Sequence, residues 1–196
     1  LETLVPMLQQ NSEVVLAYSQ SAKMDSEGKI TGSWSEWTQD LVEGNYFNDS
    51  FQMNGQEYIE KFLIHKNTIP NASAVLFRRK TYAEIGGAVV DMKTNGDWGL
   101  WFKMLMEGDI NYSSKIMNNF RYHGTSVIAL ASQKSQNKFL TKSNLITSDI
   151  AMRANFQKYL VNNFENKHYI YISNKKLIIK LKLKLIITRI LAKLVK

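Results

Sequence analysis

The sequence predicts an α/β fold, because short apolar runs typical of strands alternate with segments of helical periodicity. Residues 13–19 form an apolar, β-branched run that predicts a buried strand, and residues 72–78 predict a second one. Between them, residues 56–66 repeat their large apolar side chains every three or four positions, which is typical of a helix with one buried face. The inward positions of this helix are Tyr58, Ile59, Phe62 and Leu63. We therefore expect helices layered on a sheet.

Turn-forming residues divide the first half of the chain. Residues 1–10 predict a helix, provided that Pro6 lies in its first turn, where a missing backbone N–H is tolerated. Residues 25–29 combine Asp, Ser and Gly, and they predict a turn. Residues 33–54 are rich in Trp, Asn, Gly and Asp without a clear period, so we expect mostly loop there.

The elements after residue 79 continue the alternation of helix and strand. Residues 80–85 predict a short helix, which the glycine pair at positions 86–87 ends. Residues 110–120 are expected to be extended, with Tyr112 and Ile116 facing inward.

Composition and charge narrow the classes of function. The 196 residues are enough for one domain with a real core, and the absence of cysteine excludes a disulfide framework and a thiolate metal site. It also suits a reducing compartment. The net charge of +8 arises in residues 175–196, which hold eight of the 25 Lys and Arg residues and no acid. The neutral remainder argues against a nucleic-acid-binding face.

Three regions follow from these patterns. We expect residues 1–130 to form the α/β region, residues 131–174 to add a helical extension, and residues 175–196 to form a basic amphipathic tail. Lysines interrupt the tail too often for a transmembrane helix. Its Leu, Ile and Lys side chains suit an anionic membrane surface, where apolar burial and charge attraction act together. The alternative is a solvated helix that packs on the body.

An aromatic helix introduced by an acidic residue is the most informative segment of the sequence. Asp97 follows Gly96 and occupies the position expected of a helix N-cap, whose carboxylate accepts the unpaired amides of the first turn. The helix is predicted to run to Glu107. Its core side consists of Trp98, Trp101, Phe102 and Leu105. A carboxylate held at a rigid edge of the fold suits a general base, and a plain N-cap is the alternative.

The order of four short segments points to a known family. Residues 69–79 read IPNASAVLFRR, residues 85–87 read IGG, residues 96–98 read GDW and residues 120–123 read FRYH. In this order and spacing they resemble the second half of the family 2 inverting glycosyltransferases of the GT-A fold. The resemblance covers residues 1–130. It implies the second half of a GT-A, Rossmann-like glycosyltransferase domain, followed by C-terminal helices.

The resemblance implies catalytic and phosphate-binding roles for charged residues. Asp97 takes the place of the base that removes the proton from the acceptor hydroxyl, and Asp91 is a distant second candidate. Arg121 and His123 lie in the loop that closes over the diphosphate in relatives. There Arg121 would pair with phosphate oxygens, and His123 would contact the substrate and a divalent metal, Mg or Mn. The alternative for this pair is a surface histidine beside a structural ion pair.

Polar and aromatic residues near these positions are candidate sugar contacts. By their position in the family, Asn71 and Ser73 face the donor or acceptor sugar. Trp98 is a candidate for stacking on a sugar face and equally a candidate for the core. Trp34 and Trp37 lie in the long predicted loop and are candidates for lining an acceptor groove.

The nucleotide-binding half of the relatives, with its metal-binding Asp-x-Asp turn, has no counterpart in the sequence, and no glycine-rich phosphate loop replaces it. We therefore expect a fragment that is inactive alone. The resemblance implies a nucleotide-sugar donor and a glycan or lipid-linked acceptor. It also implies bacterial surface-polysaccharide synthesis at the cytoplasmic face of the membrane, with peripheral attachment. The alternative is a non-catalytic sugar-binding or membrane-docking module derived from the same fold.

Overall fold

The computed structural model describes residues 1–41, 46–69, 71–88 and 96–123, all within one compact unit that extends from Leu1 to Gly124. In these residues, helices pack against one mixed sheet, which confirms the α/β fold class. The strands are β1 (Val14–Met24), β2 (Ile30–Ser33), β3 (Phe51–Met53), β4 (Val75–Phe77) and β5 (Asp109–Arg121). The helices are α1 (Leu4–Gln9), α2 (Ser35–Thr38), α3 (Gly55–Tyr58), α4 (Arg79–Glu84) and α5 (Gly96–Leu105). The predicted helical extension and basic tail lie outside the described residues.

Strand β1 is the centre of the sheet. It pairs in parallel with β5 and antiparallel with both β2 and β4, while β3 pairs antiparallel with the other side of β5. Strand β4 lies beside the amino-terminal half of β1, where Leu16 is opposite Phe77. Strand β2 lies beside the carboxyl half, where Ala22 is opposite Ser33. A strand with neighbours on both sides and cover on both faces is buried along its length, as nine of the 11 residues of β1 are.

The predicted buried strand over residues 13–19 is confirmed, and it continues to Met24. The continuation is polar, but its side chains have partners. Gln20 Nε2 donates to the Tyr112 hydroxyl at 2.8 Å, and Asn118 Nδ2 donates to Ser21 Oγ at 3.1 Å. Because buried polar groups cost little once they are hydrogen-bonded, the strand extends through a segment that lacks the apolar pattern.

The turn predictions are also confirmed. The backbone N–H of Asp25 donates to the Lys29 carbonyl at 3.0 Å, and Gly28 adopts the left-handed φ of 92° that this turn needs. Pro6 is the third residue of α1, so it lies in the first turn. Gly86 and Gly87 follow α4 with φ of 70° and 65° and end it.

For two segments, the predicted extent of the secondary structure was wrong. Residues 33–54 are not mainly loop, because they contain α2, a 3-10 turn at Tyr46–Asn48 and strand β3. Three-residue elements such as β3 are too short to show a period. Residues 72–78 begin as a 3-10 turn over Ala72–Ala74, so the strand itself is only β4. The turn forms because the Asn71 side chain accepts the Ser73 N–H at 2.9 Å.

For one residue of β5, the prediction of an inward-facing side chain was wrong. Tyr112 is 1 % exposed, as expected, but Ile116 is 54 % exposed. The β1–β5 ladder is irregular at this point, because Ser19 faces Ser113 and the next residue, Gln20, faces Ile116. Such a bulge breaks the alternation of side chains that the sequence pattern assumes.

Helices α3 and α5 pack closely beside the amino end of β5. The Asn54 side chain caps α3 by accepting the Gln56 N–H at 3.1 Å. Gly55 then approaches the other helix so closely that a Cβ atom there would lie 2.0 Å from the Gly108 carbonyl oxygen. Helix α3 continues as a π-helix over Ile59–Leu63, which supplies the buried side chains Phe62 and Leu63. The predicted helix over residues 56–66 is therefore confirmed, but residues Ile59–Leu63 form a π-helix instead of an α-helix.

Arg78 joins α1 to the sheet. Its Nε donates to the Val14 carbonyl at 2.7 Å, and its terminal nitrogen donates to the carbonyls of Leu8 and Asn11. A guanidinium group can satisfy several carbonyls at once, including those at the end of a helix. Among the described residues, no helix combines the length and the apolar character needed to cross a bilayer.

Candidate functional site

The candidate residues gather toward one end of the sheet, which we call the carboxyl edge. It comprises the last residues of β1 and β5, and these strands end together because they are parallel. Strand β4 is antiparallel to β1, so the turn that precedes it, at Asn71–Ser73, also lies toward this edge. Strand β2 pairs with the last residues of β1, which brings Trp34 there as well. In open α/β sheets, ligands bind at the carboxyl ends of the strands.

Helix α5 presents its amino terminus toward the same edge. Its other end meets Gly55 at the amino end of β5, through the carbonyls of Leu105 and Gly108. At the first turn of α5, Trp98 Nε1 donates to the Leu63 carbonyl at 2.9 Å. Leu63 is the last residue of the π-helix that continues α3. The direction of α5 is thereby fixed, and Asp97 in its first turn lies on the carboxyl-edge side.

Asp97 is half-buried and its carboxylate has defined partners. Helix α5 begins at Gly96, so Asp97 is one residue inside the helix rather than at its N-cap, and the helix ends at Leu105 rather than Glu107. Its Oδ1 still accepts a first-turn amide, the Trp98 N–H, at 2.7 Å. The Asn67 side chain donates a further hydrogen bond. Burial raises the pKa of Asp97, and these hydrogen bonds oppose the rise.

Asn67 connects Asp97 to Trp37, the aromatic residue of α2. Its side-chain oxygen accepts the Ile69 N–H at 3.2 Å, so its amide group is left to donate toward Asp97. Its backbone carbonyl accepts Trp37 Nε1 at 2.9 Å. The next residue, Thr68, is fixed by a 2.8 Å hydrogen bond between its hydroxyl and that of Tyr58. Asn67 was not among the predicted site residues, because no spacing in the sequence marks it.

Trp37 of α2 and Trp34, which directly precedes this helix, each lie against a lysine side chain. Lys66 Nζ lies 4.3 Å from the Trp37 ring centroid and bonds Asp40 Oδ1 at 2.6 Å. The Trp37 ring contacts Trp34 edge-to-face at 5.9 Å, and Trp34 contacts Phe120 of β5 at 5.3 Å. Trp37 is 36 % exposed. An exposed tryptophan whose ring is fixed by a lysine and a second tryptophan is a candidate ligand contact.

The other candidate sugar contacts differ in their exposure. Trp98 is 5 % exposed and donates its indole N–H to a carbonyl, which favours its role in the core over stacking on a sugar. Asn71 is buried and occupied by its turn, whereas Ser73 is exposed. Ser73 is therefore the better placed of the two polar residues to contact a ligand.

Arg121 and His123 are exposed at the end of β5. Arg121 Nη1 donates to the Ser26 carbonyl at 3.0 Å, which ties it to the β1–β2 turn. One of its five N–H donors is used in this way, and a guanidinium can bind phosphate with the remainder. The described contacts of Asp97 include neither Arg121 nor His123. The structure therefore places these three residues toward the carboxyl edge without a described contact between Asp97 and the other two. Asp91 lies outside the described residues.

A metal centre does not form from the described residues. Within residues 1–41, 46–69, 71–88 and 96–123, no three His, Cys, Asp or Glu side chains lie close enough to hold a metal ion. His123 alone would supply one ligand, and Mg²⁺ or Mn²⁺ needs several oxygen donors.

Buried tyrosines form the polar layer beneath the edge. The hydroxyls of Tyr18 and Tyr58 are 2.8 Å apart, and Tyr112 donates to the Phe47 carbonyl at 2.8 Å. Burial raises the pKa of all three groups, so they stay neutral and act as hydrogen-bonding side chains of the core. Of the three, Tyr58 also bonds Thr68 and so helps to hold the segment that carries Asn67.

Comparison of the chain with protein-family models gives no match, and comparison with curated proteins gives none either.

Proposed function

We propose that the chain supplies the acceptor-side half of an inverting, nucleotide-sugar-dependent glycosyltransferase of the GT-A fold. The observation that carries the proposal is Asp97, a half-buried carboxylate at the amino end of a core helix, hydrogen-bonded by Asn67 at the carboxyl edge. A general base works best when its pKa lies close to the working pH, and burial raises the pKa of Asp97 in that direction. The ordered segments that resemble family 2 enzymes also support the proposal.

The proposed reaction assigns one step to each group. The ionised Asp97 carboxylate takes the proton of an acceptor hydroxyl as its oxygen attacks the anomeric carbon of the donor sugar. The bond from that carbon to the diphosphate oxygen breaks on the opposite side, and the diphosphate leaves with the electron pair. The configuration at the anomeric carbon therefore inverts. Arg121 offsets the negative charge that develops on the leaving group. The proton on Asp97 later passes to water.

Binding of the leaving group tests the position of the phosphate loop. The assays need an enzyme in which a nucleotide-binding half precedes this chain, which we call the extended enzyme. Arg121→Ala is expected to weaken binding of UDP, GDP or TDP about tenfold, since a charge-assisted bidentate contact is lost. His123→Ala is expected to weaken it less. Isothermal titration calorimetry measures both.

The control for this experiment is Lys115→Ala, because Lys115 is an exposed basic residue on the same strand. It removes one positive charge without touching the loop. If the Lys115 variant loses as much affinity as the Arg121 variant, only the overall charge matters. Unchanged affinity in both loop variants would contradict the assignment.

The second candidate function is a non-catalytic sugar-binding module. The exposed Trp37 ring, which lies against the Lys66 ammonium paired with Asp40, favours it, since such a ring binds sugars whether or not a reaction follows. This candidate predicts sugar binding by the chain but no transfer by the extended enzyme.

The basic tail predicts membrane attachment in either case. Residues 175–196 carry all of the net charge and many Leu and Ile residues. We expect the chain to sediment with anionic vesicles and much less with neutral ones, and to lose binding when residues 175–196 are removed. Higher salt should weaken the association without abolishing it, because apolar burial is not screened. Equal binding to neutral vesicles, or full binding by the shortened chain, would indicate that the tail packs on the body.

A further inference from the structure

We infer that the exposed ring of Trp37 binds a pyranose ring of the acceptor, next to Asp97. This inference rests on the proposed function, because it identifies the acceptor side of the same site. The ligand class is a pyranoside, whose apolar C–H face can lie against an aromatic ring while its hydroxyl groups point to polar neighbours.

The Trp37 ring is held in place before any ligand arrives. Its N–H donates to the Asn67 carbonyl at 2.9 Å, the Lys66 ammonium lies 4.3 Å from its centroid, and the edge contact with Trp34 fixes its tilt at 84°. Lys66 itself is anchored, since its side chain is 9 % exposed and bonds both Asp40 and the Trp37 carbonyl. A ring that is ordered in advance loses little entropy when it binds. With 36 % of its surface exposed, Trp37 combines this rigidity with access.

Asn67 connects the Trp37 ring to Asp97, the candidate base of the proposed reaction. Asn67 bonds Trp37 through its backbone carbonyl and Asp97 through its side chain. One residue thus separates the exposed ring from the candidate base. A sugar that rests on Trp37 would thus lie toward the carboxylate that would deprotonate it, and orientation of an acceptor requires such a placement.

Acidic groups near the ring suit hydroxyl groups. Asp40 is hydrogen-bonded to Lys66, but its side chain is 67 % exposed. Glu36, in the same short helix as Trp37, is 52 % exposed and pairs with Lys23 at 2.9 Å. Each carboxylate can accept several hydrogen bonds, so an ion pair does not exhaust it. The Trp37 ring supplies an apolar face and the Asp40 carboxylate, which reaches it through Lys66, supplies a hydrogen-bond acceptor, and these match the two surfaces of a pyranose.

A purely structural role for Trp37 would give a different result. In that case the indole only ties α2 to residue 67, and its replacement would change stability but not binding. Trp37→Phe separates the two roles, because it keeps an aromatic face and removes the N–H that bonds Asn67. Met117→Ala is the control, since Met117 is 43 % exposed and lies on β5.

The first experiment measures binding by the 196-residue chain. The probes are the methyl β-pyranosides of glucose, galactose and N-acetylglucosamine, and saturation-transfer NMR detects their ring protons. We expect Trp37→Ala to weaken binding about five- to tenfold, Trp37→Phe to weaken it less, and Met117→Ala to leave it unchanged. Absence of binding to every probe, or equal binding by Trp37→Ala, would overturn the inference.

The second experiment separates this inference from the proposed function. In the extended enzyme, Trp37→Ala should raise the acceptor KM about five- to tenfold and leave the donor KM unchanged. Transfer with an unaltered acceptor KM would overturn the role of Trp37 and leave the glycosyltransferase proposal standing. Trp37-dependent pyranoside binding without transfer would support the sugar site and remove the proposed reaction.

Discussion

Asp97→Asn is expected to lower the turnover of the extended enzyme by about two orders of magnitude or more, because the amide cannot take the acceptor proton. The fold should persist, since Asn keeps the oxygen that accepts the Trp98 N–H. Initial-rate kinetics with saturating donor and acceptor measure the effect. Glu107→Gln is the control, because Glu107 is an exposed acid just past the carboxyl end of the same helix. Near-normal turnover by Asp97→Asn would leave Asp97 as a helix-terminal residue only.

The pH dependence follows from the direction of the pKa shift. Burial raises the pKa of Asp97, so the ionised base disappears at a higher pH than an ordinary aspartate would. Turnover should therefore fall on the acidic side within a range above the usual Asp pKa, and Asn67→Ala should move this limb further up, since it removes a hydrogen bond to the carboxylate. A pH profile of turnover measures both.

The raised pKa of Asp97 also affects the stability of the fold, and at neutral pH this effect is unfavourable. A carboxyl group whose folded pKa is raised favours folding below its unfolded pKa, and this contribution is lost as the pH rises through the folded pKa. Ionised Asp97 thus slightly disfavours the fold at neutral pH. Asp97→Asn should be as stable as the wild-type chain or more so, because Asn keeps the oxygen that accepts the Trp98 N–H and carries no buried charge.

Gly55→Ala is expected to cause the largest loss of stability, about 3 kcal/mol or more. A Cβ atom at this position would lie 2.0 Å from the Gly108 oxygen and 2.2 Å from the Leu105 oxygen. Both are backbone atoms, so no flexible side chain can move aside and α3 must separate from the end of α5. Guanidinium denaturation of the 196-residue chain, followed by circular dichroism, measures the free energy of unfolding.

The control is Gly28→Ala, at a turn with φ of 92° and no heavy atom within 4 Å of a built Cβ. It should cost about 1 kcal/mol from backbone strain alone. A loss for Gly55→Ala no greater than for Gly28→Ala would show that α3 and α5 are not closely packed.

The fold could be predicted in part because its determinants are local. The apolar start of β1, the turn after it and the glycine pair after α4 each leave a pattern in neighbouring residues, and the structure confirms them. The polar half of β1 leaves no such pattern, since its burial depends on partners such as Tyr112 that are distant in the chain. The exposure of Ile116 likewise depends on a bulge between two strands.

The residues of the candidate site likewise differ in whether the sequence alone could reveal them. Asp97 could be found because a carboxylate before an aromatic helix is visible in the sequence, although the helix starts two residues earlier than expected. Asn67 could not be found, because its importance comes from two hydrogen bonds to residues 30 positions away on either side. Trp37 was a candidate from its position alone, and its exposure and anchoring emerge only from the packing of α2 against residues 66 and 67.

The stereochemistry of transfer tests the proposed role of Asp97. Proton NMR of the product formed by the extended enzyme, from a panel of UDP-, GDP- and TDP-sugars and pyranoside acceptors, reports the configuration of the new bond. We predict a product with the anomeric configuration inverted relative to the donor, and its loss in Asp97→Asn. A product with retained configuration, or an inverted product formed equally well by Asp97→Asn, would contradict the assignment of Asp97 as the base.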